Sequence, residues 1–145
     1  CAIANSQAIA NSFKAEILTA VGPHNLNAGG DTIKAALYVT TGSIGAGSVS
    51  YSTVSEVSSA GYTAGGVTCS NGTVTLTSST QWWNPLASFT WTGVTFTTDC
   101  VFLYNVTRAN RAIASYTFGA QTVSAGNFTL TMPTSDSANA LIRLT

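Results

Sequence analysis

Charge is what this chain has least of. Five Lys and Arg face five Asp and Glu in 145 residues, so 7% of positions are charged and the net charge is zero. A nucleic-acid binder needs a basic face, and the few cations, Lys14, Lys34, Arg108, Arg111 and Arg143, form no stripe. Titratable groups are as scarce. There is one histidine, and acid–base catalysis needs such groups gathered at one place. No apolar run approaches the roughly 20 residues of a membrane span. The runs 35–39 and 100–104 are only strand-length. Three cysteines, Cys1, Cys69 and Cys100, do not make an even framework, and without a CxxC spacing they do not suggest zinc. Cys69 and Cys100 read either as a cross-strand disulfide or as two small apolar strand residues, the second being favoured. Cys1 reads as a lipid-bearing N-terminus or as a start exposed by loss of Met. The second is favoured, because Ala2 to Gln7 run straight into a helical pattern, and no uncleaved signal peptide is visible.

What the chain does have is apolar and hydroxyl-bearing residues. Hydrophobic residues make up 45% and the mean hydropathy is +0.26. A chain with no span and that hydropathy either hides apolar surface between subunits or carries an unusually neutral exterior. The length suits one domain, which we place over residues 1–145, with an N-terminal arm and helix over 1–22 and a β-sandwich over 31–145.

Ile9, Phe13, Ile17, Leu18 and Val21 recur at helical spacing. Asn5 or Ser6 is the expected cap and Gly22-Pro23 the stop, with Lys14 and Glu16 on polar flanks. Residues 32–40 then read as a strand covered on both faces. Residues 41–50 read as a loop, 51–59 are ambiguous, and 61–66 have glycines where a bulge or tight bend needs them. Asn71-Gly72 predicts a type I′ hairpin between strands at 67–70 and 73–77. Trp82-Trp83 fall in a polar loop. Alternation marks strands at 89–92 and 94–97, followed by 100–104, a polar turn at 105–111 and a strand at 112–118. Strands at 121–123 and 128–132 are expected to pair around 124–127, and 140–144 closes the chain. About eight or nine short strands at roughly 8–12-residue spacing after one amphipathic helix predict a mainly β fold, an antiparallel β-sandwich or jelly-roll-like barrel.

No constellation specifies a reaction. GxSxG, HExxH, GxGxxG, GK[ST] and calcium-loop patterns are all missing, so we expect no catalytic residue, no metal and no cofactor. His24, after Pro23, reads as an exposed loop residue. The acids Glu16, Asp31, Glu56, Asp99 and Asp136 read as structural. Arg108 and Arg111 share one turn and read as solvated charges or as contacts to an acidic partner. Trp82, Trp83 and Trp91 offer a possible aromatic surface for sugars, against a reading as core or intersubunit anchors. The sequons at Asn71, Asn105 and Asn127 read as chance matches in an Asn- and Thr-rich chain.

The segments at 10–18, 31–38, 61–66, 102–105, 128–133 and 140–144 occur in an order that resembles a family of small structural proteins from tailed bacteriophages. They read ANSFKAEIL, DTIKAALY, GYTAGG, FLYN, FTLTMP and ALIRL. The resemblance covers nearly the whole chain and supplies no catalytic residues. It implies a virion component, most like a capsid decoration or cement protein, assembled in the host bacterial cytoplasm. The implied partners are the major capsid protein and further copies of the chain as a homotrimer, with neither nucleic acid nor membrane. Phe13, Ile17, Arg108 and Arg111 are then the expected contact residues. A neck, tail or fibre-attachment component and a carbohydrate-binding module are the alternatives.

Overall fold

Two strands dominate the molecule. A computed structural model describes residues 4–19 and 24–145. In chain order it contains β1 (Ala8–Ile9), α1 (Asn11–Thr19), β2 (Ile33–Tyr38), β3 (Val67–Thr68), β4 (Thr75–Thr77), β5 (Thr80–Trp83), β6 (Phe89–Asn105), β7 (Arg111–Leu130) and β8 (Ile142–Leu144). β6 and β7 form one antiparallel hairpin, paired from Phe89↔Leu130 to Asn105↔Arg111. The larger sheet has the order β1-β7-β6-β2-β3 and the smaller β4-β5-β8. Every strand pair in both sheets is antiparallel. The fold is therefore mainly β, with two antiparallel sheets and one short helix, as the strand patterning predicts.

The long strands arise from bulges that the sequence pattern reads as breaks. Trp91 and Val94 are three residues apart, a spacing that sends side chains to opposite faces of a regular strand. Gly93, at φ +63°, supplies the extra residue of a bulge there, and both Trp91 and Val94 are buried. Segments 89–92, 94–97 and 100–104 thus fuse into β6. Likewise 124–127 is no hairpin turn. Ala125, at φ +47°, lies in an irregular stretch of β7, and its N–H donates to Thr95 Oγ1 at 2.9 Å. The strands predicted at 112–118, 121–123 and 128–132 belong, except for the last two residues, to the single strand β7. The second half of β6 lies between β2 and β7 and is buried without alternation.

Asn71-Gly72 does not turn a hairpin. Val67–Thr68 pairs with β2, whereas Thr75–Thr77 pairs with β5 in the other sheet. Neither residue has positive φ. Asn71 Nδ2 instead donates to the Asp31 carbonyl at 2.9 Å, and a Cβ on Gly72 would overlap the Asn84 carbonyl. Tertiary use of both residues overrides the local signal. Trp82 and Trp83 lie in β5 rather than in a loop. Cys69 and Cys100 are free and buried, and burial pushes each thiol up to about 12.

The helix also departs from the pattern. Ala10 N–H donates to the Ile113 carbonyl at 2.9 Å, which holds residues 8–9 on the edge of β7 and delays the helix to Asn11. The apolar stripe is only partly its buried face. Phe13 and Glu16 are buried, while Ile17 is 38% and Leu18 86% exposed. The expected stop at Gly22-Pro23, the stripe position Val21 and the readings of Cys1 lie outside the described residues. One core cluster joins Phe13 of α1, β2, both long strands, and Trp83 and Ile142 of the smaller sheet.

Candidate functional site

The end of the hairpin, where β6 turns into β7, meets the helix and the loop that follows it. Five elements bring six polar side chains together there. Helix α1 supplies Glu16, and the loop before β2 supplies His24 and Asp31. The last residue of β6 is Asn105, the turn carries Arg108, and β7 opens with Arg111. Ala109 and Asn110, at φ +55° and +59°, close the turn. Its base is pinned by Val106 N–H to the Thr32 carbonyl and by Thr32 N–H to Thr107 Oγ1, both 2.9 Å.

His24 lies at the centre, with no exposed side-chain surface, which corrects the expectation of an exposed loop residue. Its Nε2 is 2.5 Å from Glu16 Oε2, and its Nδ1 is 3.0 Å from Asn105 Nδ2. The ring lies 4.8 Å from that of Phe13, at 53°. Arg111 Nη1 donates to the other Glu16 oxygen at 2.6 Å. Asp31 Oδ2 accepts from Asn105 Nδ2 at 2.8 Å, from Arg108 Nε at 3.0 Å and from Asn25 N–H at 3.0 Å. Asn105 Oδ1 accepts from Arg108 N–H at 3.2 Å. Two carboxylates and two guanidiniums thus cancel in charge around one imidazole.

Burial alone raises both carboxyls, because it disfavours their charged forms. For Glu16 the hydrogen bonds from His24 and Arg111, with the Arg111 charge, outweigh that cost and hold it below its ordinary value. For Asp31 the Asn25 N–H, the Asn105 amide and Arg108 do the same. Glu16 therefore does not belong to a polar helix flank. It is 8% exposed because its partners are inside.

The chemistry available to this cluster is limited by its closure. A general base must offer a free lone pair to substrate. Both imidazole nitrogens and both Glu16 oxygens already face partners within the chain. The arrangement cross-links helix, loop and hairpin. It also removes Phe13 from the expected outer contact surface, since that ring is buried against His24. Arg108 and Arg111 are drawn into internal ion pairs, although their side chains keep 36% and 41% exposure. Ile17 borders a groove of about 220 Å³ lined also by Leu26, Val74, Trp83, Ile142 and Leu144.

The three tryptophans do not form one surface. Trp83 is buried and its Nε1 donates to the Leu26 carbonyl at 2.7 Å. Trp91 is buried between Phe89 and Phe128, with ring centroids at 6.4 and 5.9 Å. Trp82 alone is half-buried on β5, its Nε1 donating to Thr77 Oγ1 at 3.0 Å. An aromatic sugar platform made of all three is excluded by that burial.

A second polar cluster escaped the sequence reading. Glu56 accepts from the Tyr51 hydroxyl at 2.6 Å, the Tyr62 hydroxyl at 2.8 Å and Gly65 N–H at 2.7 Å. Tyr51 stacks on Tyr104 at 4.6 Å, and Tyr104 donates to the Gly65 carbonyl at 2.7 Å. Burial pushes the Tyr104 phenol up to about 12. This clasp fixes the long loop between β2 and β3 onto the larger sheet. Gly66, at φ +75°, permits the approach, because a Cβ there would overlap the Ala35 carbonyl. Among the described residues no group of three His, Cys, Asp or Glu side chains is placed to hold a metal ion. Comparison of the chain with protein-family models, with curated proteins and with solved structures finds no match.

Proposed function

We propose that this chain is a non-enzymatic structural subunit of a tailed-phage virion, a decoration protein seated on the outer capsid and bridging capsomer joints. The observation that carries the reading is the inward closure of its chemistry. The central charged groups are paired inside the molecule, while large apolar side chains stand in solvent. Leu18, Val49, Val54, Leu76 and Leu86 are all exposed. Such a surface suits burial against protein, and modest contacts become strong when symmetry repeats them over a shell. The resemblance of the segment order to small phage structural proteins is a second support.

In this reading the two sheets form a sandwich of jelly-roll type. The partners are the major capsid protein and further copies of the chain, as a trimer at local three-fold points. Ile17 and the outer edges of Arg108 and Arg111 supply contacts, and Phe13 supports them from within. A neck or tail component would share this composition and differ in number of copies.

The test is the copy number and position of the chain in purified virions, by quantitative mass spectrometry with low-resolution electron microscopy. The expected result is on the order of hundreds of copies spread over the shell, as symmetry requires. Tens of copies at one vertex would move the protein to the neck or tail. Its absence from virions would overturn the reading. A stable monomer that never adds to shells would remove the trimer.

A further inference from the structure

The hydrogen bonds around Asn105 determine the protonation of His24, and they make that protonation consequential. Asn105 has no exposed surface. Two of its partners fix its amide without reference to the histidine. Asp31 Oδ2 can only accept, so it requires the amide NH2, at 2.8 Å; Arg108 N–H can only donate, so it requires Oδ1, at 3.2 Å. The same NH2 therefore turns its second N–H toward His24 Nδ1, at 3.0 Å. Nδ1 must present its lone pair, and the ring hydrogen sits on Nε2, facing Glu16 at 2.5 Å. While Nδ1 accepts, all three hydrogen bonds hold the amide in this orientation.

A proton arriving from solvent at Nδ1 would set N–H against N–H. Turning the amide by half a rotation gives Nδ1–H an acceptor, but it places oxygen against Asp31 Oδ2 and NH2 against Arg108 N–H. One hydrogen bond is gained, the Asp31 bond is lost, and Arg108 N–H keeps only its other acceptor, the Asn105 backbone carbonyl at 3.2 Å. Local adjustment therefore carries the change outward, to the loop at 25–31 and the turn at 106–110.

The surrounding charges leave the ring no other outlet. From α1 it faces Glu16, already engaged by Arg111 of β7 at 2.6 Å, and the Phe13 ring. From β6 it faces Asn105, and behind that amide stand Asp31 of the preceding loop and Arg108 of the turn. On the side of the smaller sheet the groove walls are Gln81, Trp82, Trp83, Ile142 and Leu144, none of which titrates near neutrality. With a neutral ring the cluster sums to zero charge. Protonation makes it +1, on a ring with no exposed side-chain surface.

We propose that His24 and Asn105 form a proton-operated latch, in which protonation of His24 turns the Asn105 amide and releases the 25–31 loop and the β6–β7 turn, including Arg108, while the sheets stay folded. The latch rests on the internal geometry alone and stands or falls apart from the virion reading.

His24 is the only histidine, so its ring signals in a proton–carbon correlation spectrum need no assignment. They are to be followed on the whole chain from pH 7.5 to 5, across the range in which imidazoles titrate, alongside amide exchange corrected for intrinsic rates. The expected result is a ring titration accompanied by a fall of roughly tenfold or more in protection at 25–31 and 106–111, about 1.4 kcal/mol or more of local stability. Protection of Ile33–Tyr38 should stay constant. His24→Gln, which cannot titrate, should abolish the pH response. A ring that titrates while loop and turn keep their protection would overturn the latch. So would a ring that does not titrate before global unfolding, or a response that persists in His24→Gln. The wild-type measurement decides the matter even where that variant fails to fold.

Discussion

Trp83 and Trp91 are both buried tryptophans with different satisfaction of one atom. Trp83 Nε1 has a carbonyl partner, whereas Trp91 Nε1 is buried with none among the described residues. A buried donor without a partner carries its desolvation cost of about 1–3 kcal/mol. Trp91→Phe removes that orphan and offsets some of the packing it loses. Trp83→Phe loses ring volume and strands the Leu26 carbonyl. Urea denaturation should therefore show Trp83→Phe to be more destabilising than Trp91→Phe by about 1–2 kcal/mol. Equal losses would mean that Nε1 of Trp91 finds a partner in solution. The sequence places both residues among aromatic candidates but says nothing about which atoms are satisfied. That depends on Leu26, which is 57 positions from Trp83.

At the scale of elements, a bulge decides which side chains face the core. Gly93 has positive φ and open space around it, so the cost of a larger residue there is conformational rather than steric. Gly93→Val should destabilise by about 1–2 kcal/mol, read as a lowered urea midpoint at constant slope. Gly47 also has open space but lacks positive φ. Gly47→Ala should leave the midpoint unchanged or raise it slightly. The contrast also explains what was legible in the sequence. The apolar run of β2 and the alternations of Phe89 with Trp91 and of Val94 with Phe96 are local periodicities, and these strands stand where the pattern places them. Glycine at 93 carries two local meanings, turn or bulge, and only the partner strand selects between them. Asn71-Gly72 fails for the same reason, since its amide and its missing Cβ serve contacts with Asp31 and Asn84. The polar cluster was less legible still. Glu16 and Arg111 are 95 residues apart and His24 and Asn105 are 81 apart, so no spacing rule connects them. A fully buried Asn at a strand end is the single unusual feature, and burial is not written in one sequence.

The whole molecule depends on how its two sheets are joined. Asn84 ties the crossing segments, donating to the Pro133 carbonyl at 2.9 Å and Ser135 Oγ at 3.1 Å and accepting from Leu141 N–H at 3.0 Å. Asn84→Ala should cost about 1–3 kcal/mol and raise amide exchange in β5 and β8 before β2. Uniform acceleration would instead mean that the sheets unfold as one unit. Acid should weaken the whole fold. Glu16 and Asp31 are held below ordinary values of 4.5 and 3.8, so the stability they contribute is complete above about pH 4.5 and is lost as pH falls through their lower folded values. The melting temperature should drop progressively below about pH 4.5, and less steeply in Glu16→Gln or Asp31→Asn. A melting temperature flat to pH 2 would contradict the ion pairs. The long hairpin has one more consequence, a mechanical one. Its open end, Phe89 beside Leu130, continues on both strands toward the smaller sheet, and its closed end lies at the turn. A force that parts residues 89 and 130 loads the rungs singly and peels them in sequence. A force that slides β2 along β6 loads all the pairs from Ile33↔Asn105 to Tyr38↔Cys100 at once. The molecule is therefore stiff along its strands and yielding across its open end, so the direction of a load decides whether it holds or unzips.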